Sequence, residues 1–146
     1  MATQHPYRRS SWAHAKAPDL DAFEALASET LAQLPNEILA LCGHVQISLA
    51  DYAEDDILNA MGIEDPHELL GLFEGVGLAQ VGDEPFTGQM PNRIWLYRRA
   101  ILDYWASGDE TLGDIVSHVL IHEIGHHFGL SDEDMERIEE AADLTM

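Results

Sequence analysis

The sequence predicts a single α+β domain in which a small β-sheet packs against one central helix and further helices cover the flanks. Three observations carry this. The chain has 146 residues, enough to close one core and too few for two lobes with a cleft between them. Short runs alternate apolar and polar residues, as half-buried strands do, while longer stretches repeat apolar residues every three or four positions, as helices do. One of the helical stretches, Leu112 to Phe128, is apolar around nearly its whole circumference, which marks a central helix.

Taken in chain order, Met1 to Pro18 carries Arg8, Arg9, Ser10, Ser11 and Lys16 and no acid before Asp19. We expect a disordered tail here, with a short organelle presequence as the alternative. Residues 19–146 then form the single domain. Asp19 to Leu34 places Leu20, Phe23, Leu26, Ala27, Thr30, Leu31 and Leu34 at helical spacing, and Pro35 ends it. Asn36 to Cys42 is a shorter helical turn stopped by Gly43. Val45, Ile47 and Leu49 alternate with Gln46, Ser48 and Ala50, a strand. Asp51 to Gly62 is polar with a helical patch at Ile57, Leu58 and Met61.

Leu69 to Val76 is apolar but holds Gly71 and Gly75, and reads as a strand because glycine costs more inside a helix than at a bulge. Gly82 to Pro91 is a loop by its turn residues. Arg93 to Tyr97 alternates again and is rich in aromatic and β-branched side chains, so it is a strand. A short helix follows from Ala100 to Trp105. Thr111 with Asp114 resembles a capping box that opens the central helix, and Gly129 before Leu130 closes it. Ser131 with Asp134 opens a last helix, through about Ala142.

Composition narrows the function. Lys and Arg number 7 against 27 Asp and Glu, a net charge of −20, and between Lys16 and Arg93 there are 15 acids and no basic residue. Such a surface repels phosphate backbones and anionic lipid, so neither nucleic acid nor membrane is an expected partner. Cys42 is the only cysteine and cannot make an internal disulfide. No apolar run in the sequence suits a secretory signal or a membrane span. A cytoplasmic protein is expected.

The chemistry concentrates in the central helix. His122-Glu123-Ile124-Gly125-His126 is an HExxH pattern, extended by Gly129 and Asp132 to HExxHxxGxxD. Residues four apart face the same way, about 6 Å apart along the axis, so His122 and His126 can each turn a ring nitrogen toward one ion. Glu123 flanks that ion without needing to bind it, the place for a base. A catalytic zinc takes three protein ligands and keeps a position open. Asp132 is the third candidate, because Gly129 can adopt the left-handed conformation that folds the chain back. His118 stands about 12 Å along the axis from His126 and cannot share an ion with it. His127 points about 100° away from His126 and reads as an outer partner or packing. Shuffled chains of this composition carry the full pattern of five fixed residues in only about 0.0003 of cases, which sets it apart from a bare HExxH.

With its surroundings, Met90-Pro-Asn-Arg-Ile-Trp-Leu-Tyr-Arg-Arg99 and His118 through Met135, and with Leu70-Gly-Leu-Phe-Glu-Gly75 upstream, the motif resembles a family of small bacterial zincin-like metallopeptidases, the mini-zincins. The resemblance spans roughly Phe23 to Glu140. It implies a minimal zincin-like domain with the motif helix under a small mixed sheet. One zinc ion would be held by His122, His126 and Asp132, with Glu123 as general base. The chain departs from larger zincins in lacking a recognisable methionine turn and a second lobe.

The function these residues point to is a zinc-dependent peptidase that hydrolyses peptide bonds with a zinc-activated water. Its substrate would be an extended peptide or unfolded protein, added at the edge of the strand Arg93–Tyr97. Tyr97 or Tyr104 could donate to the oxyanion, although packing is the commoner role of a tyrosine beside a core helix. Arg98 and Arg99 could hold a peptide carboxylate or be bonded to nearby acids. The alternative is a zinc-binding or partner-binding module that retains the site without turnover. Glu123 separates the two, since a structural zinc needs four closed ligands and no base. One small domain also implies a shallow, open site.

Overall fold

The computed structural model describes residues 10–75 and 92–144. Among them the chain forms six α-helices and a three-stranded mixed sheet. The loop expected at Gly82–Pro91 and the end of the strand expected to reach Val76 lie outside the described residues. Of the expected tail, residues 10–18 are described: Ala13 N–H donates to Ser10 C=O and Ala15 N–H to Trp12 C=O in a turn, and the Pro18 carbonyl accepts from Arg98.

Helix α1 spans Leu20–Ala32 and opens on Asp19, whose carboxylate accepts the Ala22 amide at 2.8 Å. It stops short of Leu34 because a residue before proline is driven out of helical geometry. Pro35 then starts α2, Asn36–Cys42, which ends at Gly43. Strand β1 is Val45–Ala50 and α3 is Asp55–Met61, closed by Gly62 in the left-handed region. A 3-10 turn at Pro66–Glu68 leads into β2, Gly71–Glu74, and β3 is Asn92–Tyr97. Helix α4, Arg98–Ala106, leaves β3 directly, two residues earlier than the pattern suggests, because the Asp51 carbonyl takes up the Arg99 amide at 3.0 Å. The motif helix α5 is Leu112–His127 and the last helix α6 is Asp132–Leu144.

The sheet order is β1-β3-β2, with β1 parallel and β2 antiparallel to β3. The expectation that Arg93–Tyr97 offers a free edge therefore fails. That strand lies in the middle, and its residues are apolar on both faces because both are covered. Ile94 and Leu96 enter the main core with Phe73, α1 and α5. Trp95 and Tyr97 point the other way, into a second cluster with Ala53, Leu58, Leu69 and Ala100. Register rows such as Ile47–Ile94–Phe73 run across the sheet on the main-core side.

The motif helix is less uniformly buried than its wheel suggests. Ile115, Val116, Val119, Leu120, Ile121, Ile124 and Gly125 are buried, but a stripe of Asp114, His118, His122 and His126 stays partly exposed. Two glycines set how tightly this helix is gripped. A Cβ on Gly71 would stand 2.7 Å from Val119 Cγ1, and one on Gly125 would run into the sulfur of Met135, which is fully buried. Gly71 is thus a close approach of β2 to α5 and not a bulge. Gly125 lets α6 settle on the stripe side of α5. No described helix is long and apolar enough to cross a membrane.

These contacts have a measurable consequence. Gly125→Ala should cost about 1–3 kcal/mol in chemical denaturation, the range for overpacking a filled core. Gly113→Ala, whose new Cβ meets nothing within 4 Å, should gain about 0.5–1 kcal/mol in the same assay.

Candidate metal centre

The site begins with how α5 ends. Gly129 has φ of 84°, and the Leu130 amide donates to the Gly125 carbonyl at 2.8 Å while the Gly129 amide donates to the His126 carbonyl at 3.2 Å. This is a full Schellman turn, as the glycine predicts. The chain re-enters a helix at once through a reciprocal cap: Ser131 Oγ accepts the Asp134 amide at 3.1 Å and Asp134 Oδ2 accepts the Ser131 amide at 3.4 Å. Between the two devices, Asp132 is held within one turn of His126.

His122, His126 and Asp132 come together, their donor atoms all within 4.8 Å of one another. His126 Nε2 and Asp132 Oδ1 are 3.2 Å apart. Two ligand atoms on a tetrahedral zinc stand about 3.3 Å apart, from metal–ligand distances of about 2.0–2.1 Å. Two imidazoles and a carboxylate at this spacing therefore fit a divalent cation. The site is open: the side chains of His126 and Asp132 are 56% and 85% exposed.

Glu123 leaves the stripe and turns under β2. Burial pushes its carboxyl above the usual carboxylate range, while the Phe73 backbone amide donates to it and His126 lies close, both pulling the other way. The Phe73 contact follows from sheet pairing. The Tyr97 amide donates to the Leu70 carbonyl, and antiparallel pairing alternates, so the backbone groups of Gly71 and Phe73 face outward. Among the described residues β2 has no strand on that outer side.

His122 is pushed below the ordinary histidine range, first by burial, then by His118, against the opposing pull of Glu139. Its ring lies against His118 with centroids 3.9 Å apart. Both effects favour the neutral imidazole that a metal ligand must be. His127, by contrast, packs: its ring sits 4.2 Å from Phe73 and 5.0 Å from Phe128, and burial lowers its pKa.

The remaining candidates are placed elsewhere. Tyr97 is 2% exposed, and burial with the charges of Glu74, Glu123 and Glu54 pushes its phenol up to about 12. Tyr104 is turned toward Glu110 at 3.5 Å. Arg98 binds the Pro18 carbonyl at 2.6 Å and Asp51 at 3.1 Å, and Arg99 lies over the Tyr52 ring. The reading of the two arginines as bonded to neighbours holds for Arg98.

Sequence reasoning missed Glu139. It stands 3.0 Å from His122 Nε2 and 3.1 Å from His118 Nδ1. The signal was present, since Met135 and Ile138 are the buried positions of α6 and Glu139 follows them on the edge of the same stripe.

A family model described as zincin-like metallopeptidase matches residues 42–142 of the 146-residue chain. No curated protein matches.

The raised pKa of Glu123 fixes the sign of a stability test. A carboxyl whose folded pKa lies above its unfolded value stabilises fully below the unfolded value and loses that contribution as pH rises through the folded one. Glu123→Gln in metal-free protein should therefore melt above wild type at pH 7, with the gain vanishing near pH 4, about where carboxylates titrate. Calorimetry at the two pH values measures it.

Proposed function

Since the chain belongs to the zincin-like metallopeptidase family, we propose that it is a zinc-dependent peptidase acting on extended peptides or unfolded protein. His122, His126 and Asp132 would be the ligands of a single ion and Glu123 the general base. The observation that carries this is the convergence of those three donors beside a carboxyl whose proton affinity burial has raised. When bound, zinc supplies Lewis-acid activation of a water and of the scissile carbonyl.

The chain's own residues do the rest. Glu123, held by the Phe73 amide, accepts the proton of the attacking water and returns it to the leaving amine; its raised pKa brings it nearer the working pH of such a relay. The outer edge of β2 presents the backbone groups of Gly71 and Phe73 beside Glu123, and an extended peptide adds there, not at the central β3. The oxyanion donor has no assignment, because Tyr97 is buried and Tyr104 is engaged with Glu110.

Glu123→Gln should keep bound zinc while cleavage of an unfolded polypeptide falls by about 100-fold or more, the share of a general base. Zinc content by mass spectrometry and fragment appearance on gels are the two readouts. Wild-type protein that holds zinc and leaves a broad peptide library intact would instead favour the module without turnover.

A further inference from the structure

Glu139 has no task in the proposed chemistry, yet two histidines of α5 stand against its carboxylate. Its Oε1 is buried and completes no hydrogen bond, although His122 Nε2 lies 3.0 Å away and His118 Nδ1 3.1 Å away. Its Oε2 is also 3.1 Å from His118 Nδ1. The two rings lie against each other, centroids 3.9 Å apart, so both nitrogens reach the carboxylate from one side. Glu139 is thus hydrogen-bonded to His118 through Oε2, while Oε1 stands close to both rings with no aligned N–H and has lone pairs free to turn to a cation.

The donor atoms of His118, His122 and Glu139 lie within 4.8 Å of one another, and their closest spacings approach the roughly 3.3 Å expected around a tetrahedral zinc. His118 and His122 repeat, one turn earlier, the four-residue spacing of His122 and His126. A groove of about 400 Å³ between α1 and α5 is lined by His118 and Glu139 together with Glu29, Glu110 and Asp114. Its acids draw cations and its opening gives them a way in.

We propose that His118, His122 and Glu139 form a second seat for a divalent cation of the zinc class, one turn toward the N-terminus of α5 from the His122–His126–Asp132 seat. The donor set, two imidazoles and a carboxylate, suits zinc and its first-row neighbours. His122 belongs to both sets, and its Nε2 is the atom that faces Glu139. An ion held beside Glu139 through that nitrogen takes its one lone pair from the ion beside Asp132. The inference shares only His122 with the peptidase reading.

Zinc titration of the full chain against a chromophoric chelator tests it. The His126→Ala, Asp132→Asn variant should still take about one zinc per chain. Adding His118→Ala and Glu139→Gln should then weaken zinc binding by more than about 100-fold, beyond the loss of an outer hydrogen-bond partner. No zinc in the first variant, or zinc that survives the added pair, overturns the proposal. Circular dichroism establishes that each variant is folded. The His126→Ala, Asp132→Asn variant, in which only the second seat is left, gives an independent check: the His118 ring signals in nitrogen-15 spectra should shift on adding zinc, and signals that stay fixed overturn the second seat. Failure of the peptidase site shows separately, as loss of zinc from a His118→Ala, Glu139→Gln chain that retains His122, His126 and Asp132.

Discussion

Everything in this fold depends on gripping one helix on nearly every side while leaving a single stripe of it open. Six apolar side chains of α5, Ile115, Val116, Val119, Leu120, Ile121 and Ile124, are buried, each contributing about 1.5–3 kcal/mol. Even discounted for a compact unfolded state, that exceeds the cost of holding Glu123 half-buried and His122 neutral. The stripe left over carries the histidines. Gly125 admits α6 against that side, and the turn at Gly129 decides which acids of α6 meet which rings: Asp132 with His126 at the start, Glu139 with His122 and His118 two turns on.

Burial also explains why two groups of opposite chemistry shift in opposite directions. The same loss of water that raises the Glu123 carboxyl lowers the His122 imidazole, because each is pushed toward its neutral form. For the imidazole this frees the lone pair for a metal, and for the carboxyl it raises proton affinity toward the needs of a base. The net charge of −20 adds a general attraction for cations but sets neither shift, since the first cause in each case is desolvation.

Much of this was legible in the residues. The limits of α5, its Thr111 cap, the left-handed Gly129 and the Ser131–Asp134 cap are local features, and local rules find them. Sheet order was not, because the parallel pairing of β1 with β3 joins residues 47 positions apart, as in Ile47 with Ile94, and no short pattern encodes it. Ile94-Trp95-Leu96-Tyr97 nevertheless carried a hint, as an unbroken apolar run suits a strand covered on both faces. Gly71 looked like a bulge because a sequence cannot show Val119 approaching from the side. Glu139 was passed over because an acid at the margin of an amphipathic helix is normally solvated, and only the approach of α6 to α5 makes it a partner.

The position of β2 bears on how such a domain could choose a substrate. The strand is four residues long, its outward backbone groups are those of Gly71 and Phe73, and Glu123 already engages the Phe73 amide. Each ladder hydrogen bond is worth about 0.5–1.5 kcal/mol net, so the three groups that remain, the Gly71 amide and the Gly71 and Phe73 carbonyls, would improve peptide affinity by about 10- to 1000-fold at roughly 1.4 kcal/mol per decade. Pairing of this kind reads the backbone and leaves side chains unselected. The proposed ligands add no side-chain pocket, being open to solvent at His126 and Asp132. Among the described residues, then, the proposed reacting centre is better defined than the means of choosing what enters it, and on the peptidase reading chains already extended would be the substrates such an edge accepts at least cost.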